Sequence, residues 1–83
     1  MTANETKMLE TIGAALGIDP DVVVWTAPVL AQRTGRSASQ QGRDLMAVVL
    51  AVEEAFDLTI ADDDLEHLKT PRDLLEYVEA FHG

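Results

Sequence analysis

Asp62-Asp63-Asp64, with Glu66 and His67 close behind, is the densest run of possible ligands in the chain, and divalent-cation binding is the chemistry it would serve. The spacing does not suit calcium, whose loop needs alternating oxygen ligands, a central glycine and a distant glutamate. Three consecutive acids fit better as the start of a helix, where they complement the positive end of the backbone dipole. Weak cation binding to the patch is the alternative. His67 and His82 have no ligand partners at metal spacing and read as solvated or packed imidazoles. There is no histidine–serine–acid set and no glycine-rich phosphate loop, and Gly35-Arg36-Ser37 is too short to be one. A standalone enzyme is therefore not expected. The remaining reactive groups of interest are the hydroxyls of Ser37 and Ser39. They lie in Thr34-Gly35-Arg36-Ser37-Ala38-Ser39-Gln40-Gln41-Gly42, a small, polar stretch expected to be mobile.

The elements that must position these hydroxyls are helical. Met8, Leu9, Ile12, Ala15 and Leu16 recur at helical spacing, which predicts a first helix capped at Asn4 and stopped by Gly17. A long connection follows, from about Ile18 to Ala38. Within it Val22-Val23-Val24-Trp25 has strand composition. With no second strand to pair, it is read as an apolar loop laid across a helical core. A loop of this length in so small a chain is often functional. The second helix spans at least Asp44 to Phe56. Leu45, Met46, Val48, Val49, Leu50, Val52 and Phe56 make it apolar on more than one face, so it should be the central, most buried helix. Either Asp44 caps it, or Ser39 does with Gly42 tolerated in the first turn. A short third helix is expected over Asp62 to Leu68. The last helix opens on Thr70 as N-cap, Pro71 at the first position and Asp73 at the third, with Leu74, Leu75, Val78 and Phe81 as its buried stripe.

The 83 residues allow one small domain, 1–83, with a marginal core and no cysteine to staple it. Fifteen acidic residues against six basic ones leave a net charge of −9, which disfavours nucleic acid and anionic membranes and suits partners with basic docking patches. High net charge also favours a monomer. No segment reads as a membrane span or a secretory signal, so a cytoplasmic location is expected.

Several segments together resemble the acyl carrier protein family. Val49-Leu50-Ala51-Val52-Glu53-Glu54-Ala55-Phe56 is similar to the family's apolar helix ending in two acids and a phenylalanine. Ile60-Ala61-Asp62-Asp63-Asp64 resembles the segment that opens the third helix, with Ala61 where the family usually has proline. Thr70-Pro71-Arg72-Asp73-Leu74-Leu75-Glu76-Tyr77-Val78 resembles its threonine-capped last helix, and Leu16-Gly17-Ile18 the end of its first. The resemblance implies an all-α, four-helix bundle of acyl-carrier type with a long first loop and a short third helix. It also implies a 4′-phosphopantetheine arm on a serine, and as partners a phosphopantetheinyl transferase and acyl-transferring or ligase enzymes with basic patches.

At the attachment site the chain departs from the pattern. The family has aspartate-serine-leucine at the start of the second helix. Counting back from Phe56 without gaps places Gln41, Gly42 and Arg43 there, whereas counting forward from Leu16-Gly17 reaches Ser37, five residues earlier. The first loop is thus expected to carry an insertion. Three readings stay open: Ser39 carries the arm from a lengthened helix, Ser37 carries it at the loop end, or no serine is modified and the fold serves as an interaction module. Asp44, Glu53 and Glu54 occupy places matching the family's partner-facing acids. Ala47 replaces a further acid, and Arg36 and Arg43 add positive charge near the site. Partners other than the housekeeping fatty-acid enzymes are expected, with salt-sensitive steering. Trp25 is read as a cap on the core. Trp25, Val48, Val49, Val52 and Phe56 are also the residues that would border a cargo cavity.

Overall fold

The structure, a computed structural model, describes residues 2–82; the side chain of His82 lies outside the described part. Its helices are α1 (Ala3–Leu16), α2 (Ala38–Phe56), α3 (Asp62–Leu65) and α4 (Pro71–His82), and no strand occurs among the described residues. None of the helices is long and apolar enough to cross a membrane.

The cap of α1 is Thr2, not Asn4. Thr2 Oγ1 accepts from the Glu5 amide at 3.1 Å, while Glu5 Oε1 accepts from the Thr2 amide at 2.7 Å. This reciprocal box satisfies two backbone donors that Asn4 would leave free. The inner face of α1 buries Met8, Ile12 and Leu16, and Gly17 ends the helix in the left-handed conformation at φ 69°. Gly13 is needed for packing. A Cβ there would lie 2.8 Å from the Ile18 carbonyl oxygen, so the chain can fold back against α1 only over a glycine.

The connection to α2 is a loop on the core, as expected, with 3₁₀ turns at Pro20–Val22 and Val29–Ala31. One side chain replaces the missing strand partner of Val24. Gln32 Oε1 accepts from the Val24 amide at 2.9 Å, and Gln32 Nε2 donates to the Val24 and Ala27 carbonyls at 2.8 and 2.9 Å. Val23 and Val29 are thereby pinned inward while Val22 and Val24 face solvent. The loop is also tied to the far end of the chain. The Val29 amide donates to the Lys69 carbonyl, the Arg72 amide to the Trp25 carbonyl, and the Arg72 guanidinium lies over the half-buried Trp25 ring, 5.7 Å from its centroid.

Val48, Val49, Val52 and Phe56 of α2 are buried, but Met46 and Leu50 are half exposed. The helix is therefore apolar on its core face with a second, solvent-facing apolar pair, and is not buried all round. It ends at Asp57, whose φ of 53° reverses the chain. Helix α3 is shorter than expected. It closes after Leu65, and single turns carry the chain on to Leu68. Its three acids fill the first turn, and Asp64 Oδ2 accepts from the Tyr77 hydroxyl at 2.8 Å. The start of α4 is as read from the sequence. Thr70 Oγ1 accepts from the Asp73 amide, and Asp73 Oδ2 accepts from the Thr70 and Lys69 amides. Leu74, Leu75 and Val78 are buried. Phe81 is not, being 61% exposed; its ring packs on Tyr77, 4.9 Å between centroids, instead of joining the core.

Candidate functional site

The start of α2 lies earlier than either expected cap. Ser37 is the N-cap: its Oγ accepts from the Gln40 amide at 3.3 Å, and its own amide donates to Gln40 Oε1 at 2.9 Å. Ser39 is then the second helical residue and Asp44 lies in the second turn, so neither begins the helix. The reason is the capping-box pair Ser37 and Gln40, which satisfies both ends of the first turn at once. Gly42 sits inside α2, exposed, with nothing within 4 Å of where a Cβ would be. The five residues that follow Ser37, Ala38 to Gly42, are accordingly helical. They extend α2 by about 7.5 Å at 1.5 Å per residue, and do not lengthen the loop.

Both hydroxyls are exposed, and they differ in occupation. Ser37 Oγ holds the first turn closed. Ser39 has no hydrogen-bond partner among the described residues. The helix start is electropositive. Its free amides point outward, and Arg33, Arg36 and Arg43 lie in a stretch, residues 22–43, that contains no acid.

The charges expected to meet partners fall into two groups. Asp44 is engaged by Arg36, whose Nε and Nη2 donate to its two carboxylate oxygens at 3.0 Å each in a half-buried, two-pronged pair. That hydrogen bonding, helped by the charges of Arg36 and Arg33, holds the Asp44 carboxyl below the usual aspartate range. The pair ties the end of the loop to the second turn of α2. Glu53 is half-buried, and its Oε2 accepts from the Ile60 amide at 2.8 Å, bracing the link from α2 to α3. Arg43 and Glu54 are exposed. Residues 39, 43, 46, 50 and 54 repeat at helical spacing, so Ser39, Arg43, Met46, Leu50 and Glu54 form one outward stripe.

An open apolar cavity of about 310 Å³ lies beside this helix, lined by Pro28, Leu30, Leu45, Leu65, Leu68 and Lys69. The volume is at the small end of ligand sites, which run from roughly 300 to 1,000 Å³. None of the residues expected to border a cargo cavity lines it. Val48, Val49, Val52 and Phe56 are in the core, and Trp25 is held by Arg72. The lining comes instead from the long loop, from Leu45 and from the α3 region. Leu65 and Leu68, the only apolar side chains in an otherwise charged stretch, were the readable sign of it.

A small all-α bundle, with a long first loop, a short third helix, an apolar cavity lined from both and from α2, and exposed hydroxyls at the start of α2, is the build of a carrier type of domain. The chain is similar over most of its length to proteins of that type. It is 38% identical over 73 residues to the acyl carrier protein of Bdellovibrio bacteriovorus, covering 88% of this chain and 87% of that one. It is 31% identical over 78 residues to that of Syntrophobacter fumaroxidans, covering 94% and 90%. It is 32% identical over 79 residues to that of Phaeodactylum tricornutum, covering 95% and 97%. No protein-family model matches the chain. The chain belongs to the acyl carrier protein family, and its fold is the four-helix bundle of that type. Members of this family hold cargo for other proteins to transform, so the chain is not an enzyme.

Proposed function

We propose that the protein carries acyl, polyketide or aminoacyl groups of a specialised pathway, on a 4′-phosphopantetheine arm attached at Ser39 or Ser37. The observation that supports this most is the pair of exposed hydroxyls in the first turn of α2, within a cationic environment that suits a phosphodiester. The residues present fit the group. Exposed Oγ atoms offer the attachment point, and the helix start with Arg33 and Arg43 favours a negative charge there. The arm supplies a thiol that holds cargo as a thioester. The chain's own residues present and shelter. Met46 and Leu50 follow Ser39 on the outward face of α2, and a separate apolar cavity lined by Leu30, Leu45, Leu65 and Leu68 opens on another side of the same helix. A phosphopantetheinyl transferase and acyl-transferring or ligase enzymes are the partners this reading requires.

A second reading is favoured by the flanks of both serines. Neither has an aspartate before it or an apolar residue after the manner of the family, and Gly42 fills the gap-free position. On that reading the protein is an arm-less carrier-like interaction or scaffold module that uses an acidic docking face. Intact mass after incubation with coenzyme A and a broad-specificity transferase separates the two. A gain of one arm, lost in Ser39→Ala or Ser37→Ala, supports the carrier. An unchanged mass with several transferases supports the module.

A further inference from the structure

The outward stripe of α2 has an uneven charge. From Ser39 the next residues on that face are Arg43, Met46 and Leu50, and the first acids to follow are Glu53 and Glu54, about 20 Å away along the axis. Arg43 is exposed, and Arg36–Asp44 is the only ion pair among the described residues. Asp44, the one acid adjacent in sequence, has both carboxylate oxygens committed to Arg36. Arg43 is therefore a free cation one helical turn after a free hydroxyl. Side chains four residues apart on a helix are neighbours, with Cβ atoms about 6 Å apart, and an anion placed before a cation is the favourable order. Ser37 cannot use Arg43. Six residues apart, at 3.6 residues per turn, the two point about 120° away from one another.

Resting on the carrier reading above, we infer that Ser39 is the attachment serine and that Arg43 is a positioning residue that pairs with the phosphodiester there. Arg43 thereby holds the root of the arm against α2 and directs it along the Met46–Leu50 face. The cation takes the role of orienting the attachment point in a chain that has no aspartate before the serine. Arg36 does not compete for the phosphate, because its guanidinium is held by Asp44.

The test has two measurements. In the first, phosphoserine is incorporated at position 39 of the full chain as a probe of the ester phosphate, and its second ionisation is followed by phosphorus NMR. The same is done with Arg43→Gln, and with phosphoserine at position 37 in both backgrounds. Arg43 should lower the ionisation at position 39 by about 0.3 pH unit relative to Arg43→Gln, and leave position 37 unmoved. Equal values at position 39, or an equal effect at 37, overturn the pairing. In the second, the transferase product is mapped by peptide mass. An arm on Ser39 supports the assignment. An arm on Ser37 overturns it and leaves the carrier reading standing. No arm on either serine overturns the carrier reading, and the assignment falls with it whatever the titration shows.

Discussion

Replacing Gly42 by alanine probes the start of α2, on which the placement of both serines depends. Glycine inside a helix costs about 1 kcal/mol relative to alanine, mostly in backbone entropy of the unfolded chain. At Gly42 the new methyl group would meet nothing within 4 Å, so no steric term offsets the gain. Gly42→Ala should therefore stabilise the protein by about 1 kcal/mol, which for a domain of this size raises the melting temperature by roughly 5 °C. The same exchange at Gly13 should have the opposite sign. Its Cβ would lie 2.8 Å from the Ile18 carbonyl oxygen and 3.2 Å from the Pro20 nitrogen, and both are backbone atoms that can move only with the loop. Ser37→Ala removes the cap and should cost about 1 kcal/mol. Ser39→Ala, with no bond to lose, should stay within about 0.5 kcal/mol of the parent. Circular dichroism during heating and urea unfolding measures all four. Neutral results for both Gly42→Ala and Ser37→Ala would refute the argument. They would mean that α2 begins after Gly42 in solution and that both serines belong to the loop.

Three further outcomes follow from individual contacts. Arg36→Gln should return the Asp44 carboxyl towards the ordinary aspartate range, read by NMR titration of that carboxylate. Because folding lowers the Asp44 value, its contribution to stability is present above the unfolded-state value and disappears as pH falls through the depressed folded one. The parent's acid sensitivity should accordingly exceed that of Arg36→Gln, and equal acid profiles would deny the pair a role. Tyr77→Phe removes the 2.8 Å hydrogen bond to Asp64 and should cost about 1 kcal/mol, with faster amide exchange around α3. Burial, followed by that hydrogen bond, raises the Tyr77 hydroxyl above the ordinary tyrosine range, so this contribution is present at neutral pH and lost as pH climbs beyond the unfolded tyrosine value. Ala61→Pro should not stabilise: the φ of −68° at Ala61 is already that of proline, but the substitution removes the Ala61 N–H that donates to the Tyr77 hydroxyl, and a clear gain in chemical denaturation would deny that hydrogen bond a role.

The parts of the fold legible in the sequence were those fixed by local chemistry. Thr70, Pro71 and Asp73 specify the start of α4 within four residues, and the spacing of Val48, Val49, Val52 and Phe56 gives the core face of α2. Two capping boxes were equally local, Thr2 with Glu5 and Ser37 with Gln40. The second was masked by its surroundings, because a small, polar stretch ending in Gly42 reads as loop. What no local pattern carried were contacts between distant segments. Gln32 pairs with Val24 across a turn, Arg36 reaches Asp44 over the helix start, and Leu30, Leu45, Leu65 and Leu68 meet around one cavity only once three segments are folded together. Phe81 shows the converse limit, since helical spacing placed it in the buried stripe while the core does not extend to it.

The extended start of α2 links these observations. In the family pattern an aspartate precedes the attachment serine and an apolar residue follows it, so recognition is written into adjacent positions. Here the five residues from Ala38 to Gly42 add more than one turn to the helix, and the charge around the hydroxyls is supplied by arginines. Arg36 is drawn to Asp44, which removes one acid from the docking face and anchors the new first turn. Glu53 is occupied by the Ile60 amide, which removes another. The face that remains free is cationic at the start, apolar in the middle and acidic towards Glu54. A partner that reads uniform negative charge along this helix would meet Arg43 first, at a cost in encounter rate that rises as salt is lowered. If partners dock on this face as proposed, the helix would favour those whose own surface carries an acid facing the helix start over those that are basic throughout.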